Sequence, residues 1–197
     1  MPEKLKIQIV VGSVREGCVS LPVACWVHAS AREQGGLKAE LVDLADWPLP
    51  MFALATPPAM GGYKDPLQQR WAAKVGEADG YILVSPEYNH GTSAVLKNAL
   101  DYLYAEWNRK PVAFVSFGNT GGARAVEQLR AIAVELRMAP LGEAVHLFGV
   151  GAKLRDGRFE ADAKDKKQLA HLFDCLTWWG EALQTARLAD AIVSNHP

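Results

Sequence analysis

The chain has 197 residues, 49% of them hydrophobic, which is enough to bury one substantial core and points to a single globular domain over residues 1–197. Its 21 Lys and Arg against 22 Asp and Glu give a formal net charge of -1, with the basic residues scattered singly, which excludes the basic footprint of a nucleic-acid binder. No apolar run approaches the roughly 20 residues of a membrane-spanning helix, and the opening MPEKLKIQIV lacks a secretory apolar stretch, so a cytoplasmic protein without a membrane partner is expected. Cys18, Cys25 and Cys175 are odd in number and unpatterned in spacing, which suits reduced thiols. The 5 histidines are equally dispersed, and none stands in an H-E-x-x-H or C-x-x-C frame, so spacing predicts no metal site.

In chain order, KLKIQIVV (4–11) reads as a β-rich run, followed by the loop GSVREGCVS (12–20). The helix SLPVACWVHASAREQG (20–35) comes next, with Ser20 as N-cap and Pro22 tolerated in its first turn. LKAELVDL (37–44) alternates as a strand and enters ADWPLPMFALATPPAMGG (45–62), whose prolines forbid a regular element and mark a long surface loop. A helix is expected over 65–78. GYILVS (80–85) is a continuous apolar run, the pattern of a strand covered on both faces, and a helix over 93–104 follows it. PVAFVSF (111–117) repeats that pattern, the turn GNTGG (118–122) opens a helix through about 137, PLGEAVHLF (140–148) is the last strand, and a terminal helix spans 163–188. Five strands alternating with five helices predict an α/β fold with a parallel sheet and right-handed crossovers.

Such a sheet binds its ligand at the carboxyl ends of the strands, where strand order reverses. Three loops occupy that edge, and each is rich in Gly or small polar residues. In the first, Gly12 and Gly17 have triphosphate-loop spacing, but Cys18 and Val19 stand where Lys and Ser or Thr are needed. Val14 replaces the second glycine of a dinucleotide fingerprint, and Ala24 replaces the arginine of a cysteine phosphatase. What remains is a cradle for one phosphate, built from Ser13, Arg15, Ser20 and the amides of the following helix N-terminus; the competing reading is a plain turn and cap. Cys18 is either a reactive thiol or a small filler.

The second loop, SPEYNHGTSAVLKNALDYL, joins a proline, an aromatic, an amide and a glycine ahead of an amphipathic helix, a set that suits a planar heteroaromatic ring. Alternatively Tyr88 packs in the core and Asn89 caps the helix. Leu96, Leu100, Leu103 and Trp107 share one helix face for core or subunit packing. In the third loop, Gly118, Gly121 and Gly122 let backbone amides approach a ligand, or else form a turn capped by Thr120. Arg124 opposes the dipole of its helix and calls for an anionic partner in a substrate or on a neighbouring subunit.

Together, GSVREG with its following serine, SPEYNHGTSAVLKNALDYL and SFGNTGGARAVEQLR resemble the NADPH-dependent FMN reductase family over about residues 4–148, the PEYN and LKNALD block being the most specific part. The resemblance implies a flavodoxin-like three-layer sandwich with a five-stranded parallel sheet of order 2-1-3-4-5. It implies FMN as cofactor and NAD(P)H as co-substrate, with hydride passing through the flavin to a flavin, quinone or similar small-molecule acceptor in a ping-pong scheme. Ser13, Arg15 and Ser20, with amides near Cys18 and Val19, would hold the FMN phosphate. Pro86, Glu87, Tyr88 and Asn89 would frame the isoalloxazine, with Ser116 and Gly118 completing the pocket and Tyr88 and His90 facing the exposed ring. No side chain is required as a catalytic acid or base, because the flavin carries the chemistry. A flavodoxin-like electron carrier and a flavin-less interaction protein are the competing readings; the near-neutral charge disfavours the carrier. The helix from Leu96 to Trp107 and the Trp178-Trp179 pair predict a homodimer or homotetramer.

Overall fold

The structure, a computed structural model, describes residues 4–194. Five parallel strands, β1 (Lys6–Val11), β2 (Lys38–Asp43), β3 (Gly80–Pro86), β4 (Pro111–Phe117) and β5 (Ala139–Leu147), form one sheet of order β2-β1-β3-β4-β5. The helices between them are α1 (Ser20–Gln34), α2 (Pro66–Gly76), α3 (Ala94–Asp101) and α4 (Ala123–Glu135), and α5 (Ala163–Ser194) follows the sheet. A small antiparallel hairpin, β6 (Leu154–Arg155) with β7 (Arg158–Phe159), precedes α5 and was not foreseen in the sequence, where two-residue strands leave no periodicity.

The strand sequences dictate the layers. Every residue of β3 and β4 is buried, and the pleat sends alternate side chains to opposite faces. Ile82, Val84, Ala113 and Val115 pack with Val23 and Val27 of α1 and Leu172 and Phe173 of α5. Tyr81, Leu83, Val112 and Phe114 pack with Trp71 of α2, Leu100 of α3 and Leu129 of α4. Each large side chain taken fully out of water stabilises the fold by about 1.5–3 kcal/mol, so the two faces are each a core in their own right.

The apolar face of α3 and the turn after it lies within this core. Leu96, Leu100, Leu103 and Trp107 are each about 1% exposed, so they cover the sheet and offer no surface to a neighbouring subunit. Trp107 stacks edge-on against Tyr81 with ring centroids 4.8 Å apart. The helix is shorter than its hydrophobic pattern suggests, ending at Asp101, while α5 continues past Leu188 to Ser194. The polar face of α3 pins the proline-rich loop. Phe52 N donates to Asn98 Oδ1 at 2.8 Å, and Asn98 Nδ2 and Tyr102 Oη donate to the carbonyl of Pro50 at 2.9 and 2.8 Å. Among the described residues, no helix is long and apolar enough to cross a membrane.

Candidate functional site

The carboxyl ends of β1, β3 and β4 present the three small-residue loops side by side. Gly12 leaves β1 with its N–H on the carbonyl of Val84 at 2.9 Å, and a Cβ at this position would lie 2.6 Å from that same oxygen. Only glycine lets the first loop start this close to β3. Ser93 Oγ donates to the Gly12 carbonyl and accepts from Leu96 N at 3.2 Å, so one hydroxyl both caps α3 and ties it to the first loop. Asn89 therefore does not cap this helix.

Inside the first loop, Ser13 is 3% exposed, and its hydroxyl lies 2.9 Å from the Tyr88 hydroxyl of the second loop. Cys18 N donates to the Arg15 carbonyl at 3.0 Å, and Gly17 makes the turn at φ +65°. The Cys18 thiol points back to the Ser13 carbonyl at 3.5 Å. Arg15 is exposed, with its guanidinium carbon 5.9 Å from the centre of the Tyr88 ring. Ser20, expected as N-cap, is instead the first helical residue of α1; Val19 occupies the cap position, without a side-chain hydrogen bond, and the first turn holds no acid. The opening N–H groups of α1 thus lack any local side-chain acceptor, and the buried Ser20 hydroxyl has no hydrogen-bond partner.

The second loop turns sharply after β3. Tyr88 and Gly91 exchange backbone hydrogen bonds of 2.9 and 3.0 Å around Asn89 at φ 49° and His90 at φ 68°. Two consecutive left-handed residues make a two-residue hairpin of the mirror-image type. Asn tolerates this conformation; His is held in it against a steric cost of about 1–2 kcal/mol. Tyr88, Asn89 and His90 all face outward.

Glu87 has the opposite orientation. Its side chain is 4% exposed and forms an ion pair with Arg124, accepting from Arg124 Nε at 2.7 Å, Arg124 N at 3.1 Å and Thr120 Oγ1 at 3.3 Å. The anionic partner of Arg124 is therefore in the same chain, 37 residues away, and is neither a substrate nor a neighbouring subunit. Burial pushes the Glu87 carboxyl up, but the hydrogen bonds and charge of Arg124, with Thr120, outweigh it and hold the group below the usual carboxylate value. The far end of the guanidinium reaches His90 Nε2 at 2.7 Å. Arginine only donates, so Nε2 accepts and the ring proton belongs on Nδ1.

In the third loop, Gly118 lies so close to the second that an added Cβ would be 3.0 Å from Glu87 Cβ. Gly122, at φ +79°, would place a Cβ 2.7 Å from Phe117 N and from Ser116 Cβ. Ser116 is fully buried beneath the loop, donating to the Gly121 carbonyl at 2.8 Å with its oxygen 2.9 Å from His146 Nδ1.

Of the residues singled out in the sequence, Ser13, Arg15 and Tyr88 converge directly, and Cys18, Val19 and Ser20 surround the start of α1. Pro86, the buried end of β3, and Gly118 bring the second and third loops together, with Asn89 on the exposed hairpin. Glu87 and Ser116 turn away from solvent into the scaffold. Sequence reasoning missed Ser93 as the link between loops, and missed the Glu87–Arg124–His90 chain. The S-x-x-L ahead of an apolar run was a visible signal for the first; nothing in the sequence pairs the second.

The donor set fits a lone phosphate. An exposed guanidinium, a helix N-terminus without side-chain cap or acid and a buried hydroxyl without a partner stand within one nine-residue loop. Beside it, the outward face of Tyr88 and the edge of the 88–91 hairpin suit a flat ring with polar rims.

An open parallel sheet of order 2-1-3-4-5 with this edge defines a flavodoxin-like protein. Residues 5–152 match the family model described as NADPH-dependent FMN reductase, and the chain belongs to that family. It is an FMN-dependent oxidoreductase with NAD(P)H as electron donor. The chain is 40% identical over 156 residues to an NAD(P)H-dependent FMN reductase of Schizosaccharomyces pombe, covering 75% of this chain and 78% of that one. It is 30% identical over 194 residues to the quinone reductase of Escherichia coli, covering 95% and 100%. In structure it resembles the flavoenzyme NAD(P)H:(acceptor) oxidoreductase of Paracoccus denitrificans, with a TM-score of 0.70 at 20% identity over 90% of this chain and 98% of that one, a likeness of fold.

Proposed function

We propose that the first loop holds the phosphate of FMN through Ser13, Arg15, Ser20 and the amides near Cys18 and Val19 at the start of α1, and that the isoalloxazine lies against Pro86, Tyr88 and Asn89. Glu87, Ser116 and Gly118 support this pocket from behind by fixing the second loop to the third. The observation that carries the reading is the Ser13–Tyr88 hydroxyl contact of 2.9 Å, which couples the phosphate loop to the ring loop. FMN supplies two-electron redox chemistry, accepting from a nicotinamide and passing the electrons to a small-molecule acceptor. The chain's part is to bind the phosphate, orient the ring and leave the face beside Tyr88 and His90 open. Donor and acceptor then use that open face in turn, in a ping-pong order, and flat acceptors such as quinones or free flavin fit it.

Replacing Ser13 and Arg15 together with alanine is expected to abolish FMN retention and NADPH oxidation with added quinone. Undiminished flavin in the purified double variant would overturn the assignment of the phosphate loop. In the unaltered protein, bound FMN without NADPH turnover would favour an electron carrier, and a protein that cannot be reconstituted with FMN would favour an interaction module. The three free cysteines and the soluble-type composition support a cytoplasmic setting. Trp178 and Trp179, 65% and 41% exposed on α5 and in edge-to-face contact, support a homodimer or homotetramer. Light scattering at assay concentration tests this, a monomer being the contrary result.

A further inference from the structure

Away from the candidate flavin site, the packing of α5 against β5 brings a third donor, Glu143, to two that the helix already pairs. His171 and Cys175 stand four residues apart on α5 and so lie on one face of it. Glu143 belongs to β5, four residues before the end of that strand at Leu147. One ligand atom from each of Glu143, His171 and Cys175 lies within 4.8 Å of the other two. The Cys175 sulfur is 3.8 Å from His171 Nε2 and 4.0 Å from Nδ1.

These separations can be compared with those a metal demands. Tetrahedral zinc binds thiolate at about 2.3 Å and imidazole or carboxylate at about 2.0 Å, which sets its ligands about 3.3–3.6 Å apart. At up to 4.8 Å from one another, the three donors stand at most about 1.5 Å outside that spacing. Glu143 and His171 are exposed and can close the difference through their own side-chain torsions, while half-buried Cys175 supplies the fixed point. Asp174, the residue before Cys175, is engaged by Gln34 Nε2 at 2.9 Å. Among the described residues, Glu143 forms no ion pair with a Lys or Arg. The nearby Arg130 guanidinium is taken up by the Gly142 carbonyl at 2.7 Å and by Glu127, which leaves the Glu143 carboxylate available as a ligand.

We propose that Glu143, His171 and Cys175 bind a divalent transition-metal ion of the zinc class on the α5–β5 surface. On binding, the Cys175 thiol loses its proton to solvent and its sulfur lone pair forms the metal bond. His171 contributes a neutral ring nitrogen and Glu143 a carboxylate oxygen. The dication is balanced by one thiolate and one carboxylate, no electron changes hands, and water fills the fourth position on the open side.

The test is a titration of the flavin-loaded, metal-stripped protein with Cd2+, following the ultraviolet thiolate-to-cadmium charge-transfer band and then its displacement by Zn2+. One equivalent is expected to develop the band, and Cys175→Ser to abolish it although Cys18 and Cys25 remain. His171→Ala and Glu143→Gln, at exposed positions, are expected to weaken binding by roughly tenfold or more without changing flavin content. An unchanged titration in Cys175→Ser would assign the band to another thiol and overturn the proposal. So would unchanged midpoints in both His171→Ala and Glu143→Gln, because the sulfur alone would then hold the ion.

Discussion

The hydroxyls of Ser13 and Tyr88 lie 2.9 Å apart across 75 residues of sequence, so the loop that ends β1 and the loop that ends β3 share one hydrogen bond. Tyr88→Phe removes that bond and leaves the ring. The backbone N–H of Arg15, 3.4 Å from Ser13 Oγ, is then the nearest remaining partner of a hydroxyl only 3% exposed. A lost bond of this kind is worth about 1 kcal/mol, so the FMN dissociation constant is expected to rise by roughly fivefold. Flavin fluorescence quenching measures it, and an unchanged constant would separate the two loops energetically.

Arg124→Ala takes the cation from the Glu87 side chain, which is 4% exposed in the intact fold. Because Arg124 itself is 39% exposed and partly screened, about 2 kcal/mol of lost stability is expected, short of the full cost of breaking a deeply buried pair. Acid should have a related effect on the unaltered protein. The Glu87 carboxyl is held below its ordinary value of 4.5, so the stability it contributes is complete above that value and is lost as pH falls through the folded value. Urea midpoints between pH 7 and pH 3 should therefore fall less steeply in Arg124→Ala than in the unaltered chain.

The sheet could be read from the sequence because its strands announce themselves individually. Runs such as GYILVS and PVAFVSF are buried on both faces in the structure, as their unbroken apolar character requires. Ser13 and Arg15 could be assigned to one loop at the sheet edge because that loop is local, written within nine residues between β1 and α1. The partner of Arg124 could not, because its helix position calls for an anion without saying which, and Glu87 comes from a different strand end. The left-handed His90 was equally hidden: its conformation is imposed by the Tyr88–Gly91 pairing, against the residue's own preference. Leu96 to Trp107 illustrate the remaining difficulty, since an apolar helix face looks the same whether it meets a sheet or a second subunit.

Two glycines with similar backbone angles should respond very differently to alanine. Gly17 has φ +65° with nothing within 4 Å of an added Cβ, so Gly17→Ala meets conformational strain alone, about 1 kcal/mol. Gly122 has φ +79°, and its added Cβ would meet Phe117 N and Ser116 Cβ at 2.7 Å, atoms of a strand that cannot move aside. Gly122→Ala is expected to cost about 3 kcal/mol or more by adding overpacking to the strain, and to disturb the third loop. Equal denaturant midpoints for the two variants would contradict this.

Lys110 makes stability depend on alkaline pH in an unusual direction. The residue is 8% exposed, and its ammonium lies 3.2 Å from the carbonyl of Gly76 and 3.2 Å from the Tyr81 hydroxyl. Burial, with the nearby Arg187 guanidinium, pushes it down to about 8 against the opposing pull of Asp79 and Glu106. Between about 8 and the ordinary lysine value of 10.5, the unfolded chain keeps a proton that the folded chain has released. The unfolded state binds more protons across that window, so folding becomes more favourable as pH rises through it. Tyr81 acts in the opposite sense at higher pH. Burial first of all holds its hydroxyl well above the ordinary 10.0, so the folded chain retains a proton that the unfolded chain loses, and stability falls once pH passes that value. Between pH 8 and 9.5 the Lys110 effect should be worth about 1–2 kcal/mol; the Cys175 thiol, held above its ordinary 9.0 by burial, opposes it in the unaltered chain and in Lys110→Met alike and cancels from their difference. Lys110→Met removes the titrating group, whatever it does to stability at neutral pH through the lost bonds to Val75 and Gly76. Urea unfolding of both proteins across pH 7 to 9.5 is expected to give a stability difference that moves in favour of the unaltered chain as pH rises, and a constant difference would mean that Lys110 stays charged in the fold.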